Sequence, residues 1–229
     1  MAKSSTWAND LLLLLFNNTA AANIGDAGGL QPSASAGNLY VSLHTADPGV
    51  NPSQTTSEAS YTGYGRVPVA RSNVGWTIAG ASVSNAGVVT FPVCTAGTNT
   101  ISHFGIGTDS AGAGILLLSG ALVAQWFPCT GEPSQNRIHA PQSTFVANDP
   151  LVFADIEGGT HCSGITLGTV YYVNNTFAPD EYNISATLGG GTLALTTHGT
   201  QMVGKISTLA VALNISPAFA IGALVWNEY

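Results

Sequence analysis

The stretch GNLYVSLHTADPG, residues 37–49, decides the fold class of this 229-residue chain. Leu39, Val41 and Leu43 alternate with other residues, and a period of two predicts a half-buried β-strand. The turn residues Asp-Pro-Gly follow at 47–49, because Pro fixes its own φ and Gly accepts a positive one. The stretch therefore predicts a strand that ends in a tight turn.

The same pattern recurs along most of the chain, with Gly, Asn, Ser or Asp between the segments. Short strands at this spacing are typical of an antiparallel sandwich or barrel, so we expect an all-β fold. Residues 128–142 interrupt the pattern and are predicted to be irregular. The further strand candidates are 61–71, 75–79, 87–93, 101–108, 114–122, 121–127, 144–146, 151–156, 169–174, 182–187, 192–197, 205–213 and 218–226.

An N-terminal α-helix is predicted over about residues 5–19, where Ser4, Ser5 or Thr6 can cap the first turn. Residues 11–16 are apolar on every side of that helix. Such a helix must be enclosed. Two arrangements remain open, one in which it packs into its own fold and one in which it packs against another subunit.

Charge is scarce, because Asp, Glu, Lys and Arg make up 7% of the residues, against about 25% in average domains. A surface of neutral polar residues has little self-repulsion and suits a protein held in an assembly. The net charge of −7 with five basic residues argues against nucleic-acid binding. No apolar run approaches the length of a membrane span, and the three cysteines are predicted to be buried free thiols.

Two groups of residues resemble chemical sites, and for each we favour a structural interpretation. Asp155 and Glu157, with His161 and Cys162, are a possible cation site or, as a carboxylate pair, the centre of a polysaccharide-degrading enzyme. We favour a solvated acidic hairpin end, because a flexible turn with glycines at 158–159 interrupts the cluster.

Ser42, His44 and Asp47 suggest a nucleophilic triad, but the sequence has no nucleophile elbow beside them. Gly105 and Gly107 start a dinucleotide fingerprint that lacks its third glycine. We therefore predict a protein that is not an enzyme, with no catalytic residue, no cofactor and no metal.

Two of the five basic residues, Arg66 and Arg71, lie in one predicted strand with two tyrosines. At least one arginine is predicted to pair with an acidic residue of a neighbouring subunit, and a pair with Glu58 or Asp47 of the same chain is the open alternative. Trp76 and Trp126 are expected in the core. The predicted interface residues are Trp7, Leu11, Leu12, Leu15, Phe16, Tyr61, Tyr64, Arg66 and Arg71.

Four stretches together resemble small virion proteins of tailed bacteriophages, which are labelled tail-fibre, structural or head-decorating proteins. They are WANDL at 7–11, GNLYVSLHTADPG at 37–49, YTGYGRVPVAR at 61–71 and HFGIGT at 103–108. The resemblance covers about residues 1–127 and resumes near Leu209.

Residues 129–204 look like a small β module found in several phage tail and capsid proteins. The resemblance implies a parent β-sandwich lobe, with its helix, made of residues 1–128 and 205–229, and a second β domain inserted into one of its loops.

The resemblance implies a virion structural protein, which we expect to be a capsid decoration or cement protein. It would bind the major capsid protein on the outside of the head as a homotrimer, after assembly in the bacterial cytoplasm. The alternative is a tail-fibre or tail-tip protein whose insert binds the host surface. In that case Tyr171, Tyr172 and Tyr182 are the candidates for stacking on sugar rings.

Overall fold

The computed structural model describes residues 4–22, 24–26, 28–156 and 159–228. The chain divides into two compact units. Unit 1 comprises residues 1–119 and 209–229, and unit 2 comprises residues 120–208. The boundaries predicted for an inserted domain, 129 and 204, both lie inside unit 2, and the assignment of separate domains stays a prediction.

Helix α1, Ser5–Phe16, opens unit 1. The Ser4 hydroxyl accepts a hydrogen bond from the Trp7 amide at 3.2 Å and so caps the first turn. Ala8, Leu12 and Phe16 form its buried stripe, and the Phe16 ring meets the Trp76 ring edge-on at 4.9 Å. The helix therefore packs on its own fold along one face, three residues shorter than predicted.

Short antiparallel sheets make up the rest of unit 1. The largest has the order β2-β1-β7-β8, and the others are β17-β4-β3, β15-β6 and β16-β5. The strands are β1 Asn38–His44, β2 Val67–Ala70, β3 Trp76–Ala79, β4 Ser82–Asn85, β5 Val89–Thr90, β6 Asn99–Ile101, β7 His103–Gly107, β8 Leu116–Ala121, β15 Leu209–Val211, β16 Ala218–Phe219 and β17 Val225–Asn227.

Strand β1 is the buried centre of the largest sheet, paired with β2 on one side and with β7 on the other. Leu39, Val41 and Leu43 are 0–3% exposed, as their alternation predicts. Ser42 and His44 are also fully buried, because β1 is covered on both faces near its end. Strand β4 was not predicted, since its sequence SVSN has a single apolar residue.

Unit 2 is a closed six-stranded barrel with the order β10-β13-β12-β11-β14-β9. All of its strand pairs are antiparallel. The strands are β9 Val123–Glu132, β10 Arg137–His139, β11 Pro150–Ala154, β12 Val170–Ala178, β13 Glu181–Ser185 and β14 Gly199–Ile206. Together with unit 1, the barrel confirms the predicted all-β fold with an N-terminal helix.

Three local predictions in this part of the chain are wrong. Residues 128–142 are not irregular, because β9 continues to Glu132 and β10 follows a 3₁₀ turn. Residues 144–146 form no strand, since the Phe145 amide donates to the Tyr182 hydroxyl and not to a neighbouring strand. Residues 192–197 form no strand either, although Leu195 is buried in the barrel core.

Trp126 is 39% exposed, so its expected place in the core is also wrong. Successive side chains of a strand point to opposite faces. Phe127 packs against the barrel core, and Trp126 therefore faces outward. It lies over Gly204, its partner in β14, where a Cβ would stand 3.2 Å from the indole ring. Trp76, by contrast, is 1% exposed, as expected.

Candidate functional site

The nine predicted interface residues fall into two groups in unit 1. One group lies on or beside α1, and the other lies around the chain before β2. Tyr61 and Arg66 of the second group are 3% and 9% exposed, so the fold of the single chain already covers them. The two groups therefore differ in what they offer to another molecule.

Glu58 and Arg66 form a buried bidentate ion pair. The Arg66 Nε donates to Glu58 Oε1 at 2.6 Å, and Nη2 donates to Oε2 at 2.8 Å. The same guanidinium donates to the carbonyls of Asp109 at 2.8 Å and Gly112 at 2.7 Å. Arg66 thus makes the intramolecular pair that was the alternative to an inter-subunit one, and it ties three segments of unit 1 together.

Tyr64 completes this network. Its hydroxyl donates to Glu58 Oε1 at 2.9 Å and accepts from the Leu43 amide of β1 at 3.1 Å. Burial and the adjacent carboxylate raise the pKa of Tyr64 far above its ordinary value. The pKa of Arg66 is also raised, chiefly by its hydrogen bonds to Glu58. The network is therefore a structural clasp, in which the Tyr64 hydroxyl stays protonated and the Arg66 guanidinium stays charged.

Arg71 binds the end of α1. Its Nε donates to the Leu15 carbonyl at 2.7 Å, and Nη2 donates to the Leu14 carbonyl at 2.8 Å. These carbonyls have no partner within the helix, and a cation there also complements the helix dipole. Nη1 reaches the Ala36 carbonyl at 3.2 Å. Arg71 therefore fixes the position of α1 in unit 1.

An open apolar groove of about 370 Å³ runs beside α1. Its lining includes leucines that are only half buried, on the helix faces adjoining the buried stripe. Five of the predicted interface residues meet in it, namely Leu11, Leu12, Leu15, Phe16 and Arg71, and Trp7 lies one turn before Leu11. The full lining is Leu11, Leu12, Leu14, Leu15, Phe16, Arg71, Leu118, Trp226 and Glu228.

Ser42 and His44 do come together, but in a sealed place. The Ser42 hydroxyl and His44 Nε2 are 2.8 Å apart, and His44 Nδ1 lies 2.8 Å from the Thr56 carbonyl. Both side chains are 0% exposed, under the backbone of Gly105 in β7. Burial lowers the pKa of His44, which favours the neutral ring. A substrate cannot reach this pair, so its role is structural: it joins β1 to the segment that contains Thr56.

The acidic hairpin end carries little that points to a metal site. Asp155 Oδ1 lies 3.7 Å from His161 Nδ1, and both of these side chains are partly exposed. Glu157 lies outside the described residues. Cys162 is buried, and its thiol faces the Thr197 carbonyl at 2.9 Å. Within the described parts of the chain, no group of three or more His, Cys, Asp or Glu side chains is placed to hold a metal ion.

The tyrosines proposed for sugar stacking are mostly internal. Tyr171 and Tyr182 are 4% and 1% exposed in the barrel core, so they present no ring to a ligand. Tyr172 is half buried. Unit 2 exposes Phe177, at 48%, near the end of β12, in addition to Trp126 of β9. Sequence reasoning missed Phe177, because the available signal was one phenylalanine before a Pro-Asp turn.

Comparison with known families gives one match. A family model described as "Podophage GP4 fiber I protein gp80" matches residues 2–127. The chain belongs to this family. It is therefore a virion-associated structural protein of a phage. No curated protein matches the chain.

The gp80 fibre family match ends eight residues into unit 2, so it covers the long segment of unit 1 with α1 and seven of the nine residues that line the groove. The family description names a fibre protein and favours the fibre alternative over head decoration. Among the described residues, no helix has both the length and the apolar character needed to cross a membrane.

Proposed function

We propose that this protein is a structural component of a phage fibre, which joins its neighbours through unit 1 and contacts the host surface through unit 2. The single observation that supports this proposal is the gp80 fibre family match over residues 2–127. It replaces the expected head-decoration role, in which the partner would be the major capsid protein. Unit 2 lies mostly outside the match, so the role proposed for it does not come from the family description.

The groove beside α1 is the surface that we assign to assembly. Leu11, Leu14 and Leu15 line it while remaining half exposed, and burial of each such side chain contributes of order 1 kcal/mol. Arg71 holds the helix end rigid, so little ordering entropy is lost when a partner covers the groove. A homotrimer, the form expected from the resemblance, is the assembly that we propose.

Light scattering during size-exclusion chromatography tests the assembly role. We expect the protein to be a trimer, and Leu11→Glu and Leu14→Glu to be folded monomers, because each places a charge in the apolar groove. Leu213→Glu is the matched control, since this leucine is 60% exposed in the same unit and does not line the groove. If both groove variants elute as the wild type does, this surface is not the interface.

Quantitative mass spectrometry of purified virions tests the fibre role. We expect a copy number in the tens or below, set by the number of fibres. A copy number in the hundreds, close to that of the major capsid protein, would refute the fibre role and restore head decoration. The two experiments are independent, because one measures self-association and the other measures the place in the virion.

A further inference from the structure

Phe177 is an unusual surface residue of unit 2. Its ring is 48% exposed although it belongs to β12 of the barrel. The guanidinium carbon of Arg137 stands 3.7 Å from the ring centroid. A cation over the ring holds it by attraction to the π face. Phe177 therefore presents a fixed aromatic surface to solvent.

Two ion pairs lie at the pairing of β10 with β13, and the first of them includes the arginine over this ring. Arg137 Nη1 donates to Glu181 Oε2 at 2.9 Å, and His139 Nε2 lies 3.2 Å from Asp180 Oδ2. All four of these side chains are between 26% and 42% exposed. Each retains surface that a ligand can reach, so the cluster offers planar donors and acceptors to it.

Four of the five residues of the cluster lie on strands, and Asp180 lies in the tight turn between β12 and β13. Arg137 and His139 point outward from β10, because Ile138 between them is 1% exposed in the barrel core. In the next strand Glu181 pairs with His139 across the ladder, and Tyr182, beside it in the chain, is buried. Sites on strands keep their geometry better than sites on loops.

One donor of the cluster lacks a partner. Arg137 Nε is buried, and none of the described residues accepts a hydrogen bond from it. A buried donor left unpaired costs of order 1–3 kcal/mol. Because this nitrogen is buried, a ligand reaches Arg137 at other atoms of its side chain, which is 26% exposed as a whole.

We propose that Phe177, Arg137, Glu181, His139 and Asp180 form a saccharide-binding site. The C–H face of a pyranose packs on the exposed ring of Phe177. Its hydroxyls donate to the carboxylates of Glu181 and Asp180 and accept from Arg137. Its meaning as a host receptor site rests on the proposed fibre role, whereas the binding itself does not.

Charge narrows the class of sugar. Histidine aside, the cluster contains two carboxylates and one guanidinium, so its carboxylates outnumber its guanidinium by one. Like charges across a site of this size repel. The ligand is therefore a neutral hexose or an amino sugar, and sugars that carry a carboxylate are excluded.

Saturation-transfer NMR on the full chain tests the site. The probes are methyl β-D-galactoside, methyl β-D-glucoside, N-acetylglucosamine and glucosamine, with glucuronate as the charged control. We expect ring-proton signals from at least one of the four and shifts of the amides at 137–139 and 176–181. Glucuronate is expected to bind at least about tenfold more weakly, the factor for a 1.4 kcal/mol difference.

Variants locate the binding. Phe177→Ala is expected to lower affinity by about tenfold or more, corresponding to 1.4 kcal/mol, and Phe177→Trp to retain it. Leu188→Ala is the matched control, because Leu188 is an apolar residue of the same unit that is 62% exposed. Thermal unfolding of each variant checks that the barrel is intact.

The proposal is overturned if none of the four probes gives a signal, if folded Phe177→Ala binds as well as the wild type, or if glucuronate binds equally. None of these outcomes bears on the copy number in the virion or on trimer formation, so the proposed fibre role is tested separately. Conversely, saccharide binding by a protein present in hundreds of copies would leave the site standing and remove the fibre role.

Discussion

The Glu58–Arg66 pair gives the sharpest prediction about the stability of unit 1. Arg66→Met keeps the length of the apolar stem but removes the guanidinium. The side chains of Arg66 and Glu58 are 2% and 13% exposed, so the change leaves a carboxylate away from water. Among the described residues, the Tyr64 hydroxyl is then its remaining side-chain hydrogen-bond partner. Removing one partner of such a buried pair costs about 3–5 kcal/mol.

Urea unfolding measures this cost. With an m value of about 2 kcal/mol per molar, the loss lowers the midpoint by about 1.5–2.5 M. Trp126 is the tryptophan of unit 2, whereas Trp7, Trp76 and Trp226 lie in unit 1. In a Trp126→Phe background, tryptophan fluorescence therefore reports unit 1 alone.

Two further variants make the reasoning refutable. Arg137→Met makes the same substitution at a pair whose side chains are 26% and 37% exposed, and it is expected to cost about 0–1 kcal/mol by circular dichroism. The double variant Arg66→Met with Glu58→Leu removes both charges, so it should cost about 1–3 kcal/mol less than the sum of the single changes. The clasp is refuted if Arg66→Met lowers the free energy of unfolding by no more than Arg137→Met does. It is also refuted if the double variant loses the full sum of the two single changes.

Three other expectations concern unit 1. Arg71→Met removes the cap of α1 at the Leu14 and Leu15 carbonyls. Hydrogen exchange of the helix amides should accelerate by an amount corresponding to about 1–3 kcal/mol. Arg71→Lys should not restore the slow exchange, because an ammonium lacks the planar fork of donors that a guanidinium has. Burial lowers the pKa of His44 and of His103, so on acidification the unfolded chain takes up protons at a higher pH than the folded chain does. The free energy of unfolding should therefore be at its full value above about pH 6.5 and fall as the pH drops below it. A urea midpoint that does not change between pH 7.5 and pH 5 would contradict this. Gly105→Ala places a Cβ 2.6 Å from His44, Ser42 and Leu116 and should cost about 1–3 kcal/mol by urea unfolding, whereas Gly87→Ala meets nothing within 4 Å and should be close to neutral.

The sequence alone predicted the elements with strong local patterns. The alternation in β1 and the serine cap of α1 depend on neighbouring residues only, and both are found as expected. Predictions that depended on weaker patterns were wrong in several places. The segment 192–197 alternates like a strand, yet its Leu193 and Thr196 amides bond to separate segments, at Ile184 and Ser163, and form no ladder.

The candidate sites divide in the same way. Residues 11–16 are apolar enough that an apolar surface was expected there, and the groove contains several of them. The partners of Arg66 and Arg71 were left open. The alternation of side chains along a strand indicates the face on which each residue lies, but not which distant carboxylate or carbonyl comes within 3 Å of it. In the structure residues 61–66 are not a strand, so this alternation does not apply to them.

By itself, then, the sequence determined the all-β class, the N-terminal helix and the scarcity of charge, because composition and period are local properties of the chain. Only the tertiary structure decided which arginine clasps Glu58, which holds the end of α1, and which aromatic ring of the barrel faces water. The physical reason is that an ion pair, a cap or an exposed ring depends on strand register and barrel closure. These join residues such as Arg137 and Glu181, which are 44 positions apart in the chain.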